Sequence, residues 1–215
     1  MRFDRAGFPF IGGAWLIALA ALGSAGWGPA VFFLALGAFF AFFFRDPERT
    51  SPSDDHAVLS PADGRVLVAG AADPDAAPPG QWQQVSIFLS PMDVHVNRMP
   101  ATGRVTRVSY TPGRFLPAYR PESATLNERS EVWVDRGHGQ MIVARQIVGI
   151  LARRVVCRAH VGDQVRAGDR FGIMKFGSRM DVFLPAAATI TVAVGAVVRG
   201  GETVIAVIEP LSGGS

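Results

Sequence analysis

Cysteine and lysine are nearly missing from this chain. Cys157 stands alone, so no internal disulfide can form. Lys175 is the only lysine among 21 basic residues, and no Lys/Arg run with interleaved aromatics occurs. The formal charge of +3 therefore suits an anionic membrane surface better than a nucleic-acid groove. Also absent are Cys/His spacings for a metal, a Walker loop and a G-x-G-x-x-G turn, so neither a metal nor a bound nucleotide is expected. Past residue 50 no long amphipathic helical pattern appears. Charge itself is absent from residues 6–44.

That uncharged stretch holds two apolar runs, Phe8–Ala25 and Pro29–Phe44, separated by Gly26-Trp27-Gly28. A bilayer core about 30 Å thick needs about 20 helical residues, so two short spans joined by a tight turn fit. Arg2 and Arg5 flank one end, Arg45 and Arg49 the other, which places both ends in the cytoplasm. A secretory signal could account for the first run, but the second run follows at once, and a cleaved signal leaves it unexplained. A hairpin dipping into one leaflet is the other alternative. The charged, Pro/Ser-rich segment Arg45–Asp55 marks a boundary, giving an anchor over 1–50 and a second domain over 51–215.

Beyond the boundary the pattern is mainly β. Short apolar or alternating runs fall at Arg65–Ala69, Gln83–Leu89, Arg104–Tyr110, Glu131–Val134, Gln140–Ile150 and Arg154–Cys157. Residues 112–129 form a long Pro-rich polar loop, of a length that in a compact domain is functional or disordered. A repeat closes the chain: Val161-Gly-Asp-Gln-Val-Arg-Ala-Gly168-Asp recurs as Val194-Gly-Ala-Val-Val-Arg-Gly-Gly201-Glu. Two strand–turn–strand copies predict a pseudo-symmetric, barrel-like β sandwich with Lys175–Ser178 at the connection between halves.

Chemistry-bearing residues cluster in four places. In Met174-Lys175-Phe176-Gly177-Ser178-Arg179-Met180-Asp181, apolar flanks would hold one Gly-Ser bond in a fixed, strained turn. A plain hairpin turn is the ordinary explanation for such a pair. Ser60-Pro61-Ala62-Asp63-Gly64-Arg65-Val66 places an Asp in a turn entering a strand. Ser90-Pro91-Met92-Asp93-Val94-His95-Val96-Asn97-Arg98 sets a histidine between an acid and a base beside a strand end, an acid/base candidate. Leu126-Asn127-Glu128-Arg129 reads by default as a solvated polar turn, and His56, His138 and His160 as structural or exposed.

Taken in order, Ser-Pro-Ala-Asp-Gly, Ser-Pro-x-Asp-x-His, Asn-Glu-Arg and Phe-Gly-Ser-Arg resemble the phosphatidylserine decarboxylase proenzymes, above all the short bacterial branch, over roughly residues 45–210. The resemblance implies a self-processing enzyme of phospholipid biosynthesis. Ser178 Oγ attacks the Gly177 carbonyl, and the chain separates into 1–177 and 178–215, paired as a heterodimer or a larger assembly of it. Ser178 becomes a pyruvoyl group, the covalent cofactor. This group forms a Schiff base with the serine amine of phosphatidylserine, and carbon dioxide and phosphatidylethanolamine are the products. By the same resemblance Asp63 belongs to the processing machinery through a histidine, and His95 to decarboxylation. The longer family members carry a second histidine where this chain has Arg98, so either His95 serves both steps or another group replaces that base. Arg179 and Arg98 are candidates for binding the substrate carboxylate or phosphate. The expected location is the cell membrane, with the catalytic domain on its cytoplasmic side.

Two other readings exist. The C-terminal repeat and Ile173-Met174-Lys175-Phe176 also resemble biotinyl and lipoyl carrier domains, with Lys175 the modified residue. A non-enzymatic membrane scaffold is the second, and it predicts an intact chain.

Overall fold

The computed structural model describes residues 2–137, 139–150, 155–175 and 177–209. It divides into two compact units, Met1–Glu48 and Arg49–Ser215, the break falling inside the charged Arg45–Asp55 segment.

In the first unit the uncharged stretch forms two helices, Phe8–Ser24 and Trp27–Phe43. They pack through small residues: Ala14, Ala18, Ala30 and Gly37 are buried, and a Cβ on Gly37 would fall on the Trp15 ring. Small residues at the contact let two backbones approach closely, as helices do where lipid offers no hydrophobic drive. Many of the large side chains point outward: Leu16, Leu19, Phe32 and Leu34 are all more than half exposed. Water would oppose so broad an apolar surface. With its leading turn the first helix, Arg5–Ser24, is long and apolar enough to cross a membrane; the second has 17 residues.

The second unit is mainly β, as the alternating runs predict, and its largest sheet curls into a half-barrel. Eight antiparallel strands follow the order Gln164–Val165, Gly103–Thr111, Arg129–Asp135, Met141–Ile147, Ser178–Pro185, Trp82–Leu89, Gly64–Ala71 and Val197–Val198. Two three-stranded sheets complete the unit: Val155–Cys157, Arg170–Met174 and Val96–Arg98; and Thr189–Ile190, Val204–Val207 and Ala57–Leu59. Ser178–Leu184 is buried on both faces, and Met180 and Val182–Leu184 supply the apolar residues that such a central strand requires. One face meets Val66, Ile87, Val132 and Ala144 in the main core through Met180 and Val182.

The halves are related by a second repeat, which in the sequence stands out only as a motif. Pro61-Ala62-Asp63-Gly64-Arg65-Val66 recurs as Pro100-Ala101-Thr102-Gly103-Arg104-Val105. Hydrogen bonds obey the symmetry. Leu59 donates its amide to Pro100 (2.7 Å) and Arg98 to Pro61 (2.8 Å); Gly201 donates to Ser60 and Gly168 to Met99, both at 2.8 Å. Val66 and Val105 likewise donate to Ala196 and Asp163, both at 2.9 Å. The two sequence repeats are thus one structural duplication, in which each half supplies a turn that the other half's strands enclose.

Candidate active site

Gly177 and Ser178 sit where the central strand begins. Ser178 pairs with Leu89 and Arg179 with Phe88 on one side, and Arg179 with Ile147 on the other. Gly177 has φ of 70°, the left-handed region that glycine enters without Cβ strain. Ser178 is fully buried, and its Oγ has no hydrogen-bond partner among the described residues. Burying a hydroxyl unbonded is costly, so it is rarely kept without a use. Phe176 lies outside the described residues.

His95 reaches the same place through two pairings. Leu89 is held against Ser178, and Met174 donates its amide to the His95 carbonyl (3.2 Å). Through these two pairings Leu89, Ser178, Met174 and His95 close one small ring, on which the Gly177–Ser178 bond also lies. The His95 ring is buried, with Nδ1 3.0 Å from the Asp93 carbonyl. A carbonyl only accepts, so Nδ1 carries the hydrogen, and in the neutral ring Nε2 holds the lone pair. Asp93 contributes its carbonyl here, while its carboxylate caps the turn, accepting from the Ser90 amide and hydroxyl at 2.8 Å each.

The other sequence candidates sit elsewhere. Asp63 lies at the crossing of the two halves: Oδ1 accepts from the Gly200 amide (2.7 Å) and Oδ2 from Arg49 (2.8 Å). Burial raises its pKa above the ordinary carboxylate range, against the opposing pull of the Gly200 and Arg49 bonds, and Asp93 adds to the rise. Both of its oxygens are thus engaged without a histidine, among the described residues. Arg98 is at the opposite end of its strand from His95, donating to the Gly168 carbonyl (3.0 Å) with its side chain against Gly201. Arg179 projects from the face opposite Ser178, because strand side chains alternate. Its guanidinium is buried and bound to Asp181 Oδ1 (2.6 Å) and Ser86 Oγ (3.0 Å), at the edge of a pocket of about 370 Å³ that Tyr119, Gln84 and Ala124 also line. His56 backs the other half through its carbonyl, bonded by Ile208, and His160 is exposed beside Asp163; His138 lies outside the described residues.

Asn127 and Glu128 correct the sequence reading. Instead of a solvated turn they are buried. Asn127 Nδ2 donates to the Leu116 and Val148 carbonyls, both at 2.8 Å, and Oδ1 accepts from the Leu116 amide (2.9 Å). One side chain thereby ties the 112–129 loop to the strand end beside Ser178. A polar residue at a loop end looks solvated in sequence; only partners 11 and 21 residues away bury it. Inside the half-barrel, Gln146 donates to Asn97 Oδ1 (2.8 Å), adding two buried amides that no local pattern announced. No group of three or more potential metal ligands occurs among the described residues.

Fold and site together define an enzyme with an apolar helical hairpin ahead of a duplicated β domain, and its relatives make it a decarboxylase. Residues 36–206 match the family model for phosphatidylserine decarboxylase. The phosphatidylserine decarboxylase proenzyme of Geobacter metallireducens is 42% identical over 207 residues, 94% of each chain. Those of Nitrosomonas europaea and Desulfotalea psychrophila are 41% and 39% identical, over 94% of this chain and 93% and 94% of their own. The chain belongs to the phosphatidylserine decarboxylase family. Family membership sets aside the carrier and scaffold readings, and Lys175, half-buried, is not an exposed tip of the kind a carrier presents.

Proposed function

We propose that this protein cuts itself between Gly177 and Ser178 and then decarboxylates phosphatidylserine at a pyruvoyl group made from Ser178. The observation that carries the proposal is a buried hydroxyl with no hydrogen-bond partner among the described residues, next to a glycine held at φ of 70°. In the first step Ser178 Oγ bonds to the Gly177 carbonyl carbon and the C–N bond breaks. The hydroxyl proton passes to a base, and the freed amine of residue 178 gains one. His95 Nε2 is that base. Loss of the Ser178 Cα proton then expels the Gly177 carboxylate, releasing residues 1–177. The dehydroalanine left on 178–215 takes up water and loses ammonia, leaving the pyruvoyl terminus.

The pyruvoyl carbonyl supplies an electron sink for the substrate amine, as other carbonyl cofactors do. The burial of Ser178 and of its strand partner Leu89 suits it, because excluding water protects a reactive carbonyl. His95, on the same ring, returns a proton to the carbon that loses carbon dioxide. The helical hairpin anchors the enzyme in the cell membrane, its arginine-flanked ends and the catalytic domain on the cytoplasmic side. Phe115 and Tyr119, both exposed on the 112–129 loop, meet the lipid; the Tyr119 ring packs edge-on to Phe88, next to the partner of Ser178. Asp63 assists processing through its charge at the crossing.

Intact mass and activity on phosphatidylserine vesicles test the proposal together. Wild type should give two chains split at 177/178, the small one with a pyruvoyl terminus, while Ser178→Ala stays whole and inactive. His95→Ala should abolish decarboxylation. An active, uncut wild-type chain would overturn the mechanism. Vesicle activity unchanged by Phe115→Ser and Tyr119→Ser would remove the loop from substrate contact.

A further inference from the structure

A second glycine touches the bond that Ser178 attacks. The strand Met141–Ile147 pairs with the central strand up to Arg179, and Val148 and Gly149 run on beside Ser178 and Gly177. A Cβ built on Gly149 would land inside the Gly177 carbonyl oxygen; next in its way are the Gly177 carbonyl carbon, at 3.1 Å, and then Ala118 Cβ, at 3.4 Å. Gly149 does not have the left-handed φ that Gly177 has. The two glycines are therefore needed for different reasons. Gly177 needs freedom of backbone angle, and around it a Cβ would meet nothing within 4 Å. Gly149 needs empty space, and the atom claiming that space is the oxygen on which charge gathers when Ser178 attacks.

The segment that carries Gly149 is held firmly. The Val148 carbonyl accepts from Asn127 Nδ2 (2.8 Å), and the Val148 amide donates to the Glu128 carbonyl (3.1 Å). Asn127 uses both of its amide hydrogens and its oxygen, and the same side chain grips Leu116 on the loop that brings Ala118 to Gly149. Both walls around the Gly177 carbonyl thus depend on one buried amide.

We propose that Gly149 is the side-chain-free seat of the Gly177 carbonyl oxygen during self-cleavage, and that Asn127 is the positioning residue that fixes this seat. The proposal rests on the self-cleavage reading above. Seating the oxygen turns the carbonyl carbon toward Ser178 Oγ. A methyl group at 149 displaces the oxygen by a sizeable fraction of an ångström, and a misplacement of about 1 Å costs about a hundredfold in rate.

The experiment follows cleavage of newly made full-length chain in membranes by pulse-chase, for wild type, Gly149→Ala, Asn127→Asp and the double variant Gly149→Ala with Ala118→Gly. Hydroxylamine is added to parallel samples, because it cuts an ester at 177/178 but leaves an amide intact. The expected result is cleavage slowed roughly a hundredfold in Gly149→Ala, with no hydroxylamine-released chain, because the ester never forms. Removing the Ala118 methyl group should give no rescue, since the oxygen and not Ala118 occupies the space. Asn127→Asp keeps the shape but loses both donated bonds, and should also slow cleavage before the ester. A wild-type thermal transition and protease resistance in each variant exclude misfolding; if Gly149→Ala does not fold, Asn127→Asp decides. Folded Gly149→Ala or Asn127→Asp cleaving at the wild-type rate, rescue by Ala118→Gly, or accumulation of hydroxylamine-sensitive ester would overturn the proposal while self-cleavage stands. A wild-type chain that never separates would instead bring down the cleavage reading and the proposal together.

Discussion

Asp63 and Thr102 hold the same place in the two halves of the β domain. Asp63 Oδ1 accepts the Gly200 amide at 2.7 Å, and Thr102 Oγ1 accepts the Ala167 amide at 3.1 Å, from the equivalent turn of the other repeat copy. One oxygen acceptor per half locks the opposing turn. The carboxylate does what the hydroxyl does and adds a charge, which Arg49 meets at 2.8 Å with Glu202 as its second partner.

That charge makes stability depend on pH. Burial raises the folded pKa of Asp63, so in the window above the unfolded value the folded chain binds more protons than the unfolded one. The Asp63 contribution is then fully present below the unfolded pKa and is lost as pH rises through the raised folded pKa. Thermal unfolding in detergent, followed from mildly acidic to neutral pH, should show this downward component. Asp63→Asn, which keeps an acceptor for Gly200 and cannot ionise, should remove it. An unchanged pH profile in Asp63→Asn would mean that another group carries the effect.

The buried pair behind Ser178 is a second stability test. Arg179 and Asp181 share the outer face of the central strand, bonded at 2.6 Å, and both are almost wholly shielded from water. Removing one partner leaves the other charge buried and uncompensated, which costs about 3–5 kcal/mol. Asp181→Ala should therefore shift the denaturation midpoint strongly, whereas Arg179→Met with Asp181→Leu should restore much of the loss. If the double variant is as weak as the single one, the pair is held for packing and not for charge.

Local pattern carried the strands, the hairpin and the Gly177–Ser178 turn, because each depends on neighbours close by in the chain. The Val161 and Val194 copies are visible because Gly and an acidic residue mark the same turns. Their counterpart around Pro61 and Pro100 is equally present in the letters, but Asp63 faces Thr102 there, and the segment reads as a motif instead of a duplication. Arg179 looks like a substrate ligand, since sequence cannot show that Asp181 and Ser86 meet its guanidinium. Asn127 and Gly149 are illegible for the same reason: one is defined by carbonyls on two other segments, the other by the oxygen of Gly177 on a different strand end.

Cys157 should behave as an inert thiol. Burial pushes its pKa up, with only partial offset from hydrogen bonds involving the Ala159 backbone and Ser130. Less thiolate means slower alkylation. Iodoacetamide at mildly alkaline pH should modify the native protein far more slowly than the urea-unfolded chain. Equal rates would place the sulfur in contact with solvent.

The depth of the hairpin can be read from its two tryptophans. Trp15 lies midway along the first helix, and Trp27, three-quarters exposed, opens the second at the turn between them. Seventeen residues of helix extend about 26 Å, and adding the turn from Arg5 approaches the hydrocarbon thickness of about 30 Å. In a spanning hairpin, Trp15 is therefore near the bilayer centre and Trp27 at the far interface, where tryptophan is favoured. In a hairpin that dips into one leaflet, Trp27 is the deepest point. Lipids carrying a quencher near the headgroup or near the chain end distinguish the two, with the difference between wild type and Trp15→Phe or Trp27→Phe isolating each ring from Trp82 and Trp133. We expect chain-end quenching to favour Trp15 and headgroup quenching Trp27. The reverse order would make the anchor monotopic, with its arginine-flanked ends still on one side.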